Sequence, residues 1–189
     1  MARLKTNAKT EKEDMEFERG RKLFYKTFPD CPKPKEIERL NLTMKLDHAI
    51  DILTGEKRWE WRKASEYYFR RLFSQEVYEY AEKHKDDEKF QELYPYALTM
   101  NDVVTIHFHD YNNEWFLDVE CTGTYDVFAT EENAQFFREE LNCHDLDDEA
   151  AWCAAYCEEG EETEFYAMEL GEVLDTNLDD LPEDRKKKK

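Results

Sequence analysis

The sequence predicts an α+β fold, a small β-barrel of about five or six strands flanked by helices. Five segments alternate apolar and polar residues as strands do, and they are residues 39–45, 57–62, 102–109, 114–122 and 163–173. The segments between them carry the apolar spacing and the capping residues of helices. Apolar residues make up 40% of the chain, with 12 Phe, 11 Tyr and 4 Trp, which is enough to fill one core. We therefore expect one barrel rather than two separate sheets.

Residues 1–38 are predicted to form an N-terminal helical arm and a proline-rich linker. Within residues 11–28, the side chains of Phe17, Phe24 and Phe28 recur at spacings close to those of one helix face. Prolines at positions 29, 32 and 34 then stop the helix and stiffen the chain. The arm could pack on the barrel or meet a partner.

A helix that ends in a glycine turn joins the first two predicted strands. Leu40, Leu42 and Met44 alternate as the apolar side of the first strand. Residues 46–54 then have the apolar content of a helix. Gly55 stands just past the last helical turn, where glycine is common because it tolerates a left-handed backbone. The sequence therefore predicts a sharp reversal before the second strand.

The second strand places two pairs of side chains on opposite faces. Trp59 and Trp61 are two residues apart, so a strand puts both indoles on one face. Glu60 and Arg62 share the other face. Lys57 lies at the turn, where its ammonium can join them. A polar ligand site is one interpretation, and a structural surface ion pair is the other.

Residues 64–98 are predicted to be an insertion of one or two helices, with Ser65 as the first N-cap. Tyrosine and arginine interleave in the first of them, at Tyr67, Tyr68, Arg70 and Arg71. These side chains could stack on bases and contact phosphates, and we expect Arg70 and Arg71 to lean toward Arg62. The alternative is an amphipathic helix whose aromatic side chains fill the core.

The second half of the domain contains the remaining strands. Residues 102–109 alternate as a strand with His107 and His109 on one face. A turn at two asparagines leads to a returning strand over residues 115–128, which we expect to be interrupted at residues 122–124.

Two helices and a final strand complete the predicted domain, which covers residues 39–174. The predicted helices are residues 131–141 and 146–157, capped by Thr130 and Asp145. Residues 175–189 are acidic and then basic, with little apolar side chain to bury, so we expect a disordered tail.

The net charge of −19 is distributed unevenly. Residues 1–71 hold 18 Lys and Arg against 13 Asp and Glu, whereas residues 72–189 hold 9 against 33. So acidic a protein does not bind nucleic acid over its whole surface, and a local basic patch would be needed. The candidate patch consists of Lys57, Arg58, Arg62, Lys63, Arg70 and Arg71. Solvated charges that balance acidic neighbours are the alternative, and the acidic C-terminal half could instead engage a basic protein partner.

The chain has five cysteines, no C-x-x-C motif and no visible signal peptide. Unpaired thiols in a reducing cytoplasm are the simplest interpretation. The sequence lacks an apolar run of the roughly 20 residues that span a bilayer, so we expect no membrane association.

Several side chains could in principle bind zinc, namely His107, His109, Cys143, His144, Cys153 and Cys157. They lack the closely spaced ligand pairs of zinc sites. Cys153 and Cys157 are interpreted as small buried residues on one helix face. We therefore expect neither a metal nor a cofactor.

Gly55, Lys57, Glu60 and Arg62 match the pattern G-x-K-x-x-E-x-R position for position. In this respect the chain resembles the ASCH (activating signal cointegrator homology) domain family, whose fold is a PUA-like β-barrel. The segments at residues 40–45, 101–104 and 165–170 are similar to other strands of that family, with Asn101 in place of its usual glycine. The resemblance covers about residues 39–174.

The resemblance implies a module that binds RNA or a modified nucleotide in a cleft around this motif. Arg62 would hold a phosphate or carbonyl with its planar fork. Glu60 would accept a hydrogen bond from an exocyclic amine, and Lys57 would complete a common pocket. Arg58, Arg70 and Arg71 would add positive charge at its mouth.

A hydrolase is the enzymatic alternative, acting on a modified nucleoside or on RNA. One branch of the family hydrolyses N4-acetylcytidine, and its motif has threonine at the position of Glu60. The chain therefore lacks a hydroxyl there, and Lys57 and Glu60 would be the catalytic residues. A further glutamate of that branch would correspond to Glu139 or Glu140. An acidic protein-interaction module is the third interpretation.

Overall fold

A computed structural model describes residues 9–158 and 160–178 of the chain. The helices in these residues are α1 (Lys9–Thr27), α2 (Leu46–Leu53), α3 (Glu66–Leu72), α4 (Gln75–His84), α5 (Glu88–Leu93), α6 (Glu131–Leu141) and α7 (Asp147–Tyr156), and a 3-10 turn (Tyr94–Tyr96) follows α5. The strands are β1 (Glu36–Thr43), β2 (Trp59–Lys63), β3 (Asp102–His109), β4 (Phe116–Phe128) and β5 (Glu164–Thr176). The predicted α+β class is confirmed.

The five strands form one mixed sheet in the order β1-β3-β4-β5-β2. β1 runs parallel to β3, and β3 runs antiparallel to β4. β1 and β2 are the two edge strands, so the sheet of the described residues is open and closure into a barrel is not confirmed. An alternating sequence pattern shows which residues lie in strands, but it does not show whether two edges pair.

The chain divides into two compact units. Unit 1 contains the described residues up to Lys35, together with Trp61–Asn101 and Tyr125–Tyr166. Unit 2 contains Glu36–Glu60, Asp102–Thr124 and the described residues from Ala167 onward. The boundaries fall inside β2, β4 and β5, so each of these strands contributes residues to both units.

Unit 2 is built on strands with one apolar face. Its fully buried side chains include Ile106, Phe108, Leu117 and Val119, which alternate along β3 and β4. Leu40 on β1 stands opposite Ile106 and is also buried. The period of two that the sequence shows is therefore the period of burial.

Unit 1 has an aromatic core around α1. The buried cluster consists of Phe24, Phe28, Cys31, Phe90, Leu93 and Ala97. α1 crosses the 3-10 turn at Gly20, where an added Cβ would lie 2.3 Å from the ring of Tyr96. Only glycine allows so close an approach. The N-terminal helix therefore packs on helices of the insertion.

The insertion contains three α-helices rather than the predicted one or two. Each begins at a side chain that accepts a backbone N–H of the first turn, as favoured N-cap residues do. These caps are Ser65, Ser74 and Asp87, the first of which was predicted.

Three other boundaries differ from the prediction. β4 continues without a break through residues 122–124. α7 begins at Asp147 and its N-cap is Leu146, so the predicted cap at Asp145 is wrong, whereas Thr130 does cap α6. β5 continues to Thr176, into the segment predicted as a tail. A side-chain hydrogen bond holds its end next to β4, since the Thr176 hydroxyl donates to the Phe116 carbonyl over 2.8 Å. The next two residues of that segment are also described: the Phe116 N–H donates to the Asn177 Oδ1 over 2.8 Å, and Leu178 is buried. Residues 179–189 lie outside the described residues.

No helix within residues 9–158 and 160–178 is both long and apolar enough to cross a membrane.

Candidate functional site: a buried lysine–glutamate pair

The glycine turn that precedes β2 has the predicted geometry. α2 ends at Leu53, and Gly55 has φ +78°, in the left-handed region that glycine adopts without strain. The Gly55 N–H donates to the Ile52 carbonyl over 3.0 Å, and the Lys57 N–H donates to the Asp51 carbonyl over 2.9 Å. These bonds fold the turn back onto the end of α2 and fix where the Lys57 side chain starts.

Lys57 and Glu60 form an ion pair that is largely buried. The Lys57 Nζ lies 3.1 Å from the Glu60 Oε2, and the two side chains are 20% and 6% exposed. Burying a carboxylate is costly unless an opposite charge or hydrogen bonds compensate for the lost water. The ammonium supplies that compensation here, and its partial exposure leaves the pair accessible from one side.

The strand that carries Glu60, β2, is covered on both faces, and the residue before it is hydrogen-bonded to β5. Trp59, the residue before Glu60, is 4% exposed, so side chains on both faces of the strand are covered. The backbone of Arg58 pairs with β5, since the Leu170 N–H donates to the Arg58 carbonyl over 2.9 Å. The Arg58 side chain itself is exposed. The carboxylate of Glu60 is thus carried on an anchored strand rather than on a loop.

Arg62 and Trp61 belong to unit 1. The Trp61 ring packs edge-on against Phe137, with ring centroids 4.7 Å apart. The guanidinium of Arg62 lies 5.8 Å from the centroid of the Tyr68 ring on α3. A cation held over an aromatic face is attracted by its electrons, so Tyr68 orients Arg62. The common pocket of Lys57, Glu60 and Arg62 stays a prediction.

The other two predicted arginines interact within α3. Arg70 forms an ion pair with Glu66 one turn earlier. Arg71 lies 5.1 Å from the centroid of the Tyr67 ring and donates to its hydroxyl. Tyr67 is 61% exposed, so this aromatic side chain is available for stacking. That both arginines lean toward Arg62 stays a prediction.

Other aromatic side chains of the insertion fill the core, as the alternative interpretation of α3 proposed. The rings of Phe69 and Phe73 stack with centroids 4.9 Å apart, and Tyr78 packs against both. The first half of α3 therefore presents Tyr67 to solvent, whereas Phe69 is half-buried and Phe73, the C-cap of the helix, is buried.

A second set of charged groups, which the sequence did not reveal, lies in unit 1. Asp126 on β4 is hydrogen-bonded to Glu164 on β5. Burial, and then the bond to a second carboxyl group, raises the pKa of Asp126 to about 7. The same carboxylates also influence two tyrosines. Burial is the main cause that raises the pKa of Tyr78 to about 12 and the pKa of Tyr166 well above its usual value. The negative charges of Asp126 and Glu164 add to both shifts. The two carboxyls are 38 positions apart in the sequence, so only the pairing of β4 with β5 brings them together.

The polar face of the sheet in unit 2 carries the histidines considered as zinc ligands. His107 contacts Asp118, its partner across β3 and β4, and Asp118 also accepts from Arg39 over 3.1 Å. The rings of His107 and His109 stack with centroids 5.5 Å apart. Among residues 9–158 and 160–178, no three His, Cys, Asp or Glu side chains converge as a metal site would require.

The two glutamates suggested by the hydrolase alternative are on α6. Both Glu139 and Glu140 are exposed, and Glu139 accepts from Gln135 over 3.0 Å. They belong to unit 1, and Lys57 and Glu60 belong to unit 2.

Three comparisons with known proteins gave no match. No model of a protein family matches the sequence, no curated protein sequence matches it, and no solved structure matches the fold. A function for this chain must therefore be inferred from the chemistry of the residues described above.

Proposed function

We propose that this chain is an ASCH-type module that binds RNA or a modified nucleotide at Lys57 and Glu60. The observation that supports the proposal most strongly is the buried ion pair itself, which follows a left-handed glycine and starts an anchored strand. The pair places a carboxylate and a partly exposed ammonium side by side, where one polar ligand could reach both.

Stability alone is a poor reason to bury such a pair. Replacing a buried ion pair by apolar side chains of similar volume is often neutral or stabilising, because the cost of desolvation offsets the attraction. The exposed pairs of this protein, such as Lys89 with Glu92, avoid that cost. A ligand that uses both charges gives the buried pair a function that an apolar pair could not serve.

The two side chains offer what a nucleobase requires. Glu60 has carboxylate oxygens that can accept from an exocyclic amine, and the Lys57 ammonium can donate to a carbonyl or a phosphate. Bases are recognised in this way through donors and acceptors on their edges, together with stacking on aromatic side chains. The family resemblance adds Arg62, whose planar guanidinium can donate two parallel hydrogen bonds to a phosphate. The exposed side chains of Arg58 and Arg70 would supply further phosphate contacts.

The proposal includes the PUA-like architecture. Strands occur at each of the five segments that the sequence assigned to the barrel, and they belong to one sheet. In this proposal the open sheet is the wall of a partly closed barrel, with Glu60 and Arg62 of the motif on its edge strand β2.

The test is a binding screen of nucleosides, modified nucleosides and short RNAs by calorimetry. We expect Lys57→Ala and Glu60→Gln to weaken binding by tenfold or more. Lys89→Ala is the matched control, since Lys89 also pairs with a glutamate three residues later but is exposed; this variant should bind as the parent does. Circular dichroism confirms that each variant is folded at the temperature used.

Salt dependence gives a second measurement on the same samples. Affinity for RNA should fall as salt rises, with a shallow slope, since few basic residues are available to release counterions. Absence of binding by all nucleosides and RNAs, or full binding by Lys57→Ala, would contradict the proposal and favour an acidic protein-interaction module.

The hydrolase alternative uses the same residues. Lys57 and Glu60 could exchange a proton and act as acid and base on an amide. Incubation with N4-acetylcytidine, followed by chromatography, distinguishes the two functions: release of cytidine that requires Glu60 indicates an enzyme, and binding without turnover indicates a recognition module.

A further inference from the structure

A cavity of about 210 Å³ in unit 1 lies beside the last turn of α7 and the start of α6. Three alanines, at positions 129, 150 and 154, form part of its wall, and their small side chains leave the space open. Two cysteines, Cys153 and Cys157, line the same cavity. The sequence had suggested only that these cysteines are buried on a helix face.

The two thiols lie next to each other. Cys157 is the C-cap of α7, and its N–H donates to the Cys153 carbonyl over 2.9 Å, so the two residues are one helical turn apart. Both side chains line the same cavity. Neither cysteine is in a disulfide. Cys153 is 3% exposed, whereas Cys157 is partly exposed and gives access from solvent.

Thr163 fixes the position of the inner thiol. The Thr163 N–H donates to the Cys153 Sγ over 3.4 Å, and the Cys153 Sγ lies 3.6 Å from the Thr163 Oγ1. The Thr163 hydroxyl in turn donates to the Glu149 Oε1 over 2.7 Å. Two contacts with Thr163 therefore fix the position of the Cys153 sulfur at the cavity wall.

The surroundings of the thiols are acidic. Glu131, Glu158 and Glu162 line the cavity, and no Lys or Arg is among its described lining residues. The carbonyl end of α7 adds negative potential. Desolvation, and then the neighbouring Cys153 side chain and the charges of Glu161 and Glu162, raise the pKa of Cys157. The acidic lining therefore disfavours any further negative charge in the cavity.

Charge and ligand number restrict which thiol-seeking species fits. Zinc in structural sites takes four ligands, and no third His, Cys, Asp or Glu converges here among the described residues. Copper(I) accepts two thiolates, but a complex of one monovalent cation with two thiolates is an anion, which the acidic cavity disfavours. A neutral species that bonds to two sulfur atoms without adding negative charge avoids both difficulties.

We propose that Cys153 and Cys157 form a binding site for trivalent arsenic. Arsenous acid condenses with the two thiols: two As–O bonds and two S–H bonds break, two As–S bonds form, and two waters leave. The product keeps one hydroxyl or organic group on arsenic, which occupies the cavity. Arsenic stays trivalent, so the reaction needs no oxidant, and the charge of the site does not change.

The experiment uses the full chain, reduced and anaerobic, with arsenite and phenylarsine oxide as probes. Intact-mass spectrometry should show one arsenic per chain, and thiol titration after unfolding should show two of the five cysteines protected. Cys153→Ser and Cys157→Ser should each weaken binding by a hundredfold or more. Cys157→Ser is the safer variant for folding because Cys157 is partly exposed. Cys143→Ser is the matched control, since Cys143 is also in unit 1 but does not line this cavity, and it should bind as the parent does.

Two further measurements test the argument from charge. Between pH 6 and pH 8, affinity for arsenite should stay nearly constant, whereas a cation that displaces two protons gains about a hundredfold per pH unit. Glu162→Gln should change arsenite affinity by less than about threefold. Arsenic retained in Cys157→Ser, protection of both thiols by Zn²⁺ at equal concentration, or a steep rise of affinity with pH would each overturn the proposal.

Discussion

Two pairs of charged side chains, one in each unit, show two ways of tolerating burial. In unit 2 the Lys57 ammonium lies 3.1 Å from the Glu60 carboxylate, so an opposite charge compensates for lost water. In unit 1 Asp126 is hydrogen-bonded to another carboxyl group, that of Glu164, and the pKa of Asp126 rises to about 7. A bound proton performs there the role that lysine performs in unit 2. The first pair therefore depends on the presence of Lys57, and the second depends on pH.

The largest expected effect comes from removing the lysine. Lys57→Met leaves the Glu60 carboxylate nearly buried without its ammonium, and we expect the free energy of unfolding to fall by about 2–3 kcal/mol. Urea denaturation followed by tryptophan fluorescence measures it. Lys89→Met removes the same partner from an exposed pair and should cost less than about 0.5 kcal/mol. Equal losses in the two variants would show that Glu60 does not need Lys57.

The carboxyl pair of unit 1 should make stability depend on pH in the opposite sense to a salt bridge. The pKa of Asp126 is raised by folding, so its contribution is fully present near pH 4 and is lost as the pH rises toward about 7. Asp126→Asn removes the ionisation, and at pH 8 it should be more stable than the parent by about 1–2 kcal/mol, a value reduced for the partial exposure of this group.

Denaturation of the parent and of Asp126→Asn at pH 5 and pH 8 measures this difference. The advantage of Asp126→Asn should be much smaller at pH 5. Asp118→Asn is a control, because Asp118 faces Arg39 and His107 rather than a carboxylate. A variant of Asp126 that is less stable than the parent at pH 8 would show that the carboxylate is favourable there.

Replacing both members of the lysine–glutamate pair should have a smaller effect than removing one. Lys57→Met/Glu60→Met removes both charges of this pair, and the two methionine side chains keep roughly the original volume. We expect the unfolding free energy to return to within about 1 kcal/mol of the parent, while nucleotide binding is lost. A double variant as unstable as Lys57→Met alone would assign the pair a structural role.

The contrast between the two pairs also explains what could be predicted from the sequence. Lys57 and Glu60 are three positions apart, directly after the glycine turn at Gly55, so local geometry was enough to predict that their side chains meet. Asp126 and Glu164 meet only because β4 and β5 are neighbours, and no local pattern reveals that pairing. The two cysteines were visible as a helical spacing, but the cavity beside them depends on how α6 and α7 meet.

The same distinction holds for the fold. Alternation correctly placed Leu40, Leu42 and Met44 on one buried side of the first strand segment. Closure of the sheet depends on which strands become edges, and β1 and β2 occupy those positions. The sequence did not predict the end of β5, because Thr176 is held there by a hydrogen bond to Phe116, a residue 60 positions earlier in the chain.

The smallest expected effect on stability concerns Arg62, the third residue of the predicted pocket. Its guanidinium lies over the Tyr68 ring, and Arg62→Lys keeps a cation there, so the unfolding free energy should change by less than about 0.5 kcal/mol. Binding should respond more, by about tenfold, because an ammonium cannot reproduce the two parallel hydrogen bonds of a guanidinium on phosphate. Calorimetry with the tightest RNA or nucleotide of the screen measures it, and Arg21→Lys, which alters an arginine paired with Glu18 on α1, is the control. Undiminished binding by Arg62→Lys would exclude Arg62 from the site and restrict recognition to Lys57 and Glu60.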